Sequence, residues 1–235
     1  MRVDMQMLER IHGGQASMFL RNFLERNIVM VPDVSDPQNI EQKKVQAFIR
    51  LGNLVDEQIK EIEQNTGIHP TCSKGCSYCC YQAIYVSTIE AEIITYWLQQ
   101  QHDRNLTRYV KRRLKTWIAS FRKAGFSNTF DDSDEYKRRY FQAHIPCPFL
   151  TESKTCAIYP VRPSACRTYF SFADPRLCRE DPFVDFTLNG SVWGATLLMC
   201  FITSHESVRK DPNSGKNFLD DLPTLLPLAV KKFFQ

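Results

Sequence analysis

Four cysteines fall within nine residues, Cys72-x3-Cys76-x2-Cys79-Cys80, and this run limits what the chain can fold into more than any other feature. The chain carries nine cysteines in 235 residues, and 43% of its residues are hydrophobic, enough to build a core without cross-links. An odd thiol count in a chain of this size argues against a small disulfide scaffold. The thiols point instead to soft ligands suited to zinc, iron–sulfur or copper(I), and unsuited to magnesium or calcium. The spacing of Cys76 and Cys79 lets both sulfurs turn onto one ion. Gly75 offers that turn a position free to take positive φ. Cys79 and Cys80 are neighbours whose side chains tend to diverge, which favours a polynuclear or two-site arrangement.

A second, looser group follows: Cys147-x8-Cys156-x9-Cys166-x11-Cys178. These gaps are too long for a local knuckle, so the fold must gather the thiols. Pro146, Pro148, Pro160 and Pro163 stiffen the connecting loops and lessen the entropy lost on ordering them. Four plus four sulfurs would fill two tetrahedral zinc sites, or hold a cubane iron–sulfur cluster with thiols to spare. Lys74, Arg162 and Arg167 are candidates to offset the thiolate charge. His69 and His144 are alternative ligands by their nearness to Cys72 and Cys147. Tyr78, Tyr81 and Tyr159 are expected to pack over the site. Cys200 lies between Leu197-Leu198-Met199 and Phe201-Ile202, so it reads as a buried core thiol, which accounts for the odd total.

The rest of the chain reads as mainly helical. Asp36-Pro37 is a helix start, and Ile40, Val45, Ile49, Val55, Ile59 and Ile62 recur at near-helical spacing until Gly67 ends the run. Ser87-Thr88-Ile89-Glu90 is a capping box opening a helix through Ile93, Ile94, Trp97 and Leu98. Leu106, Val110, Leu114, Trp117, Ile118 and Phe121 share one face of a further helix, with Lys111, Arg112, Arg113 and Lys115 on a solvated face. Ser133 to Ala143 reads as a short charged helix and Ser191 to Ser204 as a buried one. Pro227 opens a terminal helix ending at Phe233-Phe234. Strand signals are confined to Ala83 to Val86 and Phe183 to Leu188.

The expected architecture is a single mainly-α domain whose cysteine-rich irregular loops gather a metal site. Residues 1–67 form an N-terminal helical extension packing on the core, 68–205 the metal-chelating domain, and 206–235 a tail with a short helix. A net charge of +4 and one basic helix face give no nucleic-acid footprint. The apolar run from Val192 to Thr203 is too short to span a bilayer, and no signal-peptide core is visible. The expectation is a cytoplasmic protein, where thiols stay reduced, with a metal ion as partner and neither nucleic acid nor membrane.

The segments Cys72-Ser-Lys-Gly-Cys-Ser-Tyr-Cys-Cys80, Cys147-Pro-Phe-Leu150 and Cys156-Ala-Ile-Tyr-Pro-Val-Arg-Pro-Ser-Ala-Cys-Arg167 together resemble the YkgJ family, the CxxCxxCC family of zinc- or iron-chelating proteins. The resemblance covers about residues 68 to 180, and the first spacing is three residues where the family has two. It implies that Cys72, Cys76, Cys79, Cys80, Cys147, Cys156, Cys166 and Cys178 bind iron, as an iron–sulfur cluster, or a Zn or Fe ion. Flagellin lysine methylases are similar in carrying such a cysteine domain, which makes a metal-dependent methyltransferase acting on a protein substrate the second reading. A structural zinc module for contact with a protein partner is the third. No glycine-rich strand–turn–helix of the doubly wound kind is present to hold S-adenosylmethionine.

Overall fold

Helix α1 (Ile40–Thr66) is closed by Gly67, whose φ of 66° and N–H bond to Glu63 O satisfy the last turn as the sequence predicts. The computed structural model describes residues 39–67, 69–127, 129–131, 133–167, 169–172, 174–183, 187–189 and 224–233. The Asp36-Pro37 start, the 191–204 helix and Cys200 therefore lie outside the described residues. Within them the chain is mainly helical, with very little strand.

Helix α2 (Thr88–Gln100) begins at the capping box read from the sequence. Glu90 N–H donates to Ser87 Oγ at 3.3 Å, and the Glu90 carboxylate accepts the Ser87 N–H at 3.0 Å. Ile89, Ala91, Ile93, Ile94, Thr95 and Leu98 are all buried, so burial runs around most of this helix rather than along one stripe. Helices α1 and α7 (Leu226–Phe233) both pack against it. One apolar cluster joins Val45 and Phe48 of α1, the buried face of α2, Val110 and Leu114, and Leu226 and Val230 of α7. Phe149, Ile158 and Val161 from the second cysteine segment belong to the same cluster. The loops that carry thiols are therefore fastened to the core by their own apolar residues.

Helix α3 (Arg104–Lys123) is capped by Asp103, whose carboxylate accepts from Asn105 and Leu106 N–H. Its buried residues are Val110, Leu114, Trp117 and Phe121, with Leu106 and Ile118 half-buried, so the face read from periodicity is the packed one. Trp117 Nε1 donates to the Tyr140 hydroxyl at 3.0 Å, tying α3 to α4 (Asp134–Gln142). Trp117, Phe121, Phe126, Tyr136, Tyr140, Ile145 and Leu225 form a second, aromatic cluster.

Two short helices complete the set, α5 (Ser164–Arg167) and α6 (Leu177–Glu180). Strand β1 (Tyr85–Val86) pairs antiparallel with β4 (Thr224–Leu225), and β2 (Tyr169–Ser171) with β3 (Thr187–Asn189). The strand expected over Ala83 to Val86 is shorter than the pattern suggests. That expected over Phe183 to Leu188 lies later, at Thr187–Asn189, where β2 supplies a partner that no local pattern announces. No helix among the described residues is long and apolar enough to cross a membrane.

Candidate metal centre

The first cysteine group is a series of tight turns. Gly75 takes φ of 95°, the freedom expected of it, and Cys76 N–H donates to Ser73 O at 2.9 Å. Cys79 and Cys80 sit on a 3₁₀ turn, Tyr78–Tyr81, held by Cys80 N–H to Ser77 O at 3.0 Å. Cys147 N–H then donates to Cys80 O at 2.7 Å, joining the two groups backbone to backbone across the fold. Beyond it the chain doubles back through a bridge between Leu150 and Cys156, and Ala157 N–H donates to Phe149 O at 2.8 Å. Cys166 rides on α5. Cys178, which is buried, rides on α6, and α6 packs on the 3₁₀ turn. Cys72 is exposed, but its segment is fixed to β2. Thr71 N–H donates to Ser171 O at 2.8 Å, and Ser171 N–H points at Cys72 Sγ at 3.3 Å.

All eight described cysteines are free thiols. Cys79 acts electrostatically on Cys72 and Cys76 on one side, together with Cys178, and on Cys80, Cys147, Cys156 and Cys166 on the other. Burial pushes the Cys72, Cys76 and Cys156 thiols up, takes Cys147 to about 12, and takes Cys166 well above the ordinary thiol range. Cys79 is drawn down instead, first by hydrogen bonding from the Cys80 thiol and then, against burial, by the Arg162 charge. Cys80 is pushed up by the same contact.

Among the described residues, no group of three or more Cys, His, Asp or Glu side chains stands close enough together to hold a metal ion. The chemistry of the donors nonetheless fits a soft metal: eight unbridged sulfurs, with the Arg162 charge favouring thiolate at three of them. A soft metal bound there would take the place of the thiol protons, leaving thiolate ligands.

The cations divide in a way the sequence does not reveal. Arg167 is buried at 5% exposure, and Nη1 donates to Asp56 Oδ2 of α1 at 2.9 Å, with Nη2 on Pro160 O at 3.1 Å. Its guanidinium is thus committed chiefly to Asp56 and backbone carbonyls, with some reach to Cys156. Arg162 lies over the exposed Tyr159 ring at 4.3 Å and 3.6 Å from Asp56 Oδ1, and its charge favours the thiolates of Cys79, Cys156 and Cys166. Lys74 is exposed. His69 is exposed, 3.7 Å from Glu63, and His144 stacks on Tyr81 at 4.2 Å.

Three residues at the site escape the sequence reading. Asp56 holds both arginines. Glu90, legible as a cap of its own helix, uses its second oxygen to accept from Ser164 N–H at 3.0 Å and Ser164 Oγ at 2.6 Å, and so caps α5 as well. Arg113, assigned by its spacing to the solvated face of α3, is half-buried instead. Its Nη2 lies 3.5 Å from Cys147 O, because the α3 surface at this height faces the Cys147 segment rather than water. Only a neighbouring thiol segment distant in sequence makes that position special, so no local signal could have found it.

No curated protein and no solved structure gives a significant match to the chain. Residues 71–189 do match a family, CxxCxxCC, described as "Putative zinc- or iron-chelating domain". The match takes in every clustered cysteine and half of the 235 residues, and the chain belongs to the CxxCxxCC family.

Proposed function

We propose that the chain is a metal-binding protein whose Cys72, Cys76, Cys79, Cys80, Cys147, Cys156, Cys166 and Cys178 chelate iron, as an iron–sulfur centre, or zinc. What supports this reading is that eight unbridged thiols fall within the residues matching the CxxCxxCC family, and that the Cys147 N–H bond to Cys80 O at 2.7 Å joins their two groups. Eight thiols exceed what one four-coordinate ion takes, which supports a polynuclear centre. The bound metal supplies the positive charge that lets neighbouring thiolates coexist. The chain's own residues do the rest. Arg162 favours thiolate at Cys79, Cys156 and Cys166, while Asp56 and Arg167 fasten α5 to α1. A reducing compartment such as the cytoplasm suits so many free thiols. Residues 68–205 would form the chelating unit, with the 1–67 extension packed on it through α1.

The full-length protein purified under anaerobic conditions should carry stoichiometric metal by elemental analysis. A visible thiolate-to-iron absorption marks the iron–sulfur form, and a colourless protein with zinc marks the other. Substitution Cys79→Ser should remove most of the metal, Cys72→Ser the least, and Cys200→Ser none. Folded wild-type protein without metal, under these conditions, overturns the reading.

A further inference from the structure

Arg113 stands on the stripe of α3 that carries Arg112 and Lys115, both exposed. Arg112 leans outward over the Tyr109 ring at 5.9 Å. Arg113 does the opposite. It is half-buried, its Nε–H is out of reach of water, and that N–H has no hydrogen-bond acceptor among the described residues. No carboxylate pairs with it among the described residues. Its one polar contact there is the long approach of Nη2 to Cys147 O at 3.5 Å. A buried N–H left unmet on a cation with no counter-charge beside it costs free energy in the metal-free protein. Arg162 repeats part of the pattern, with its Nε also buried and unmet, but Asp56 lies 3.6 Å away and already offsets its charge.

We infer that Arg113 is a positioning residue for the metal centre, its guanidinium held beside the Cys147 segment to offset the thiolate charge that gathers there when metal binds. This rests on the metal-binding reading above. A loaded centre would supply what that N–H lacks, sulfur acceptors and negative charge. A purely structural role for Arg113 makes the opposite prediction about the metal-free form, because a side chain that holds the fold together destabilises that form when removed.

The test uses full-length protein, reduced and stripped of metal anaerobically, then titrated with Zn(II) against a chromophoric chelator. Arg113→Met, Arg113→Lys and the exposed control Arg112→Met are compared with wild type. The metal-free Arg113→Met protein should melt at or above the wild-type temperature, since an unmet buried N–H is gone. Its Zn(II) affinity should fall tenfold to a hundredfold, the range seen when groups supporting metal ligands are removed. Arg113→Lys, which keeps the charge, should recover most of that loss, and Arg112→Met should match wild type. Equal affinity in wild type and Arg113→Met overturns the inference and leaves the metal-binding reading standing. So does a metal-free Arg113→Met that melts well below wild type or fails to fold, since that assigns Arg113 to the scaffold. Wild-type protein that takes up neither Zn(II) nor iron with sulfide overturns both.

Discussion

At Gly52 the long first helix leaves no room for a side chain. A Cβ built there would lie 2.4 Å from Arg167 Cζ, with the neighbouring guanidinium nitrogens almost as near. Glycine in mid-helix costs about 0.5–1 kcal/mol relative to alanine. That cost is offset by what the gap admits: a buried Arg167 crossing α1 to reach Asp56 at 2.9 Å. Gly52→Ala therefore pits a helix gain of about 1 kcal/mol against displacement of a pinned guanidinium. Charge-assisted hydrogen bonds are worth about 1.5–3 kcal/mol each, and Arg167 makes one to Asp56 beside its carbonyl contacts. The loss should win, leaving the variant about 1–2 kcal/mol less stable in urea denaturation. A midpoint equal to or above wild type would show that Arg167 relaxes without leaving Asp56. The sequence singles out Arg167 by its place beside Cys166, but not Gly52 or Asp56, because 111 residues separate the two ends of the ion pair.

Among the elements, α2 helps to place Cys166, and it does so through Glu90. One carboxylate oxygen caps α2 at Ser87, and the other caps α5 at Ser164, the helix that carries Cys166. Glu90 is 3% exposed, so both sets of donors depend on it rather than on water. Glu90→Ala strips the capping acceptor from two helix starts. At about 1 kcal/mol per cap, plus the desolvation of donors left unmet, the cost should be about 2–4 kcal/mol. Urea denaturation checks the stability, and chelator competition checks the accompanying fall in metal affinity as Cys166 loses its anchor. Glu90→Gln, which keeps one oxygen acceptor, should fall between. Half of this arrangement is readable in the sequence, since Ser87-Thr88-Ile89-Glu90 is a local pattern. So are the buried face of α3 and the Gly67 terminus, both set by neighbours within a turn or two. The second half is not. Ser164 lies 74 residues on, and the pairing of β2 with β3 likewise depends on the chain returning. The same limit explains Arg113, whose stripe has helical spacing but whose surroundings come from another segment.

Across the whole molecule, the apolar core and the thiol-bearing loops are joined but not interchangeable. Ile89, Ile93, Ile94, Leu98, Val110 and Leu114 are almost wholly removed from water, and each contributes about 1.5–3 kcal/mol by burial. Helices α1, α2, α3 and α7 therefore hold one another without help from any ion. The cysteine segments are held differently. Phe149, Ile158 and Val161 plug into the core, while Cys76, Cys80 and Cys147 sit in turns fixed by single backbone bonds, such as Cys147 N–H to Cys80 O at 2.7 Å. Among the described residues no three of the candidate ligands stand close enough to hold an ion, so a bound metal would have to draw the loops together. Stripping the metal should therefore loosen one layer of the molecule and spare the other. In hydrogen exchange, amides of Cys76, Cys80 and Cys147 should lose protection after chelation, while those in the middle of α2 and α3 keep theirs. Far-ultraviolet circular dichroism should change little. Loss of protection throughout, with cooperative unfolding on chelation, would mean that the ion builds the fold, as in a structural zinc module. Protection kept everywhere would mean that the loops are already set and that the cage closes by side-chain rotation alone. Only the intermediate result agrees with a core that stands by itself and thiols that wait for metal to draw them together.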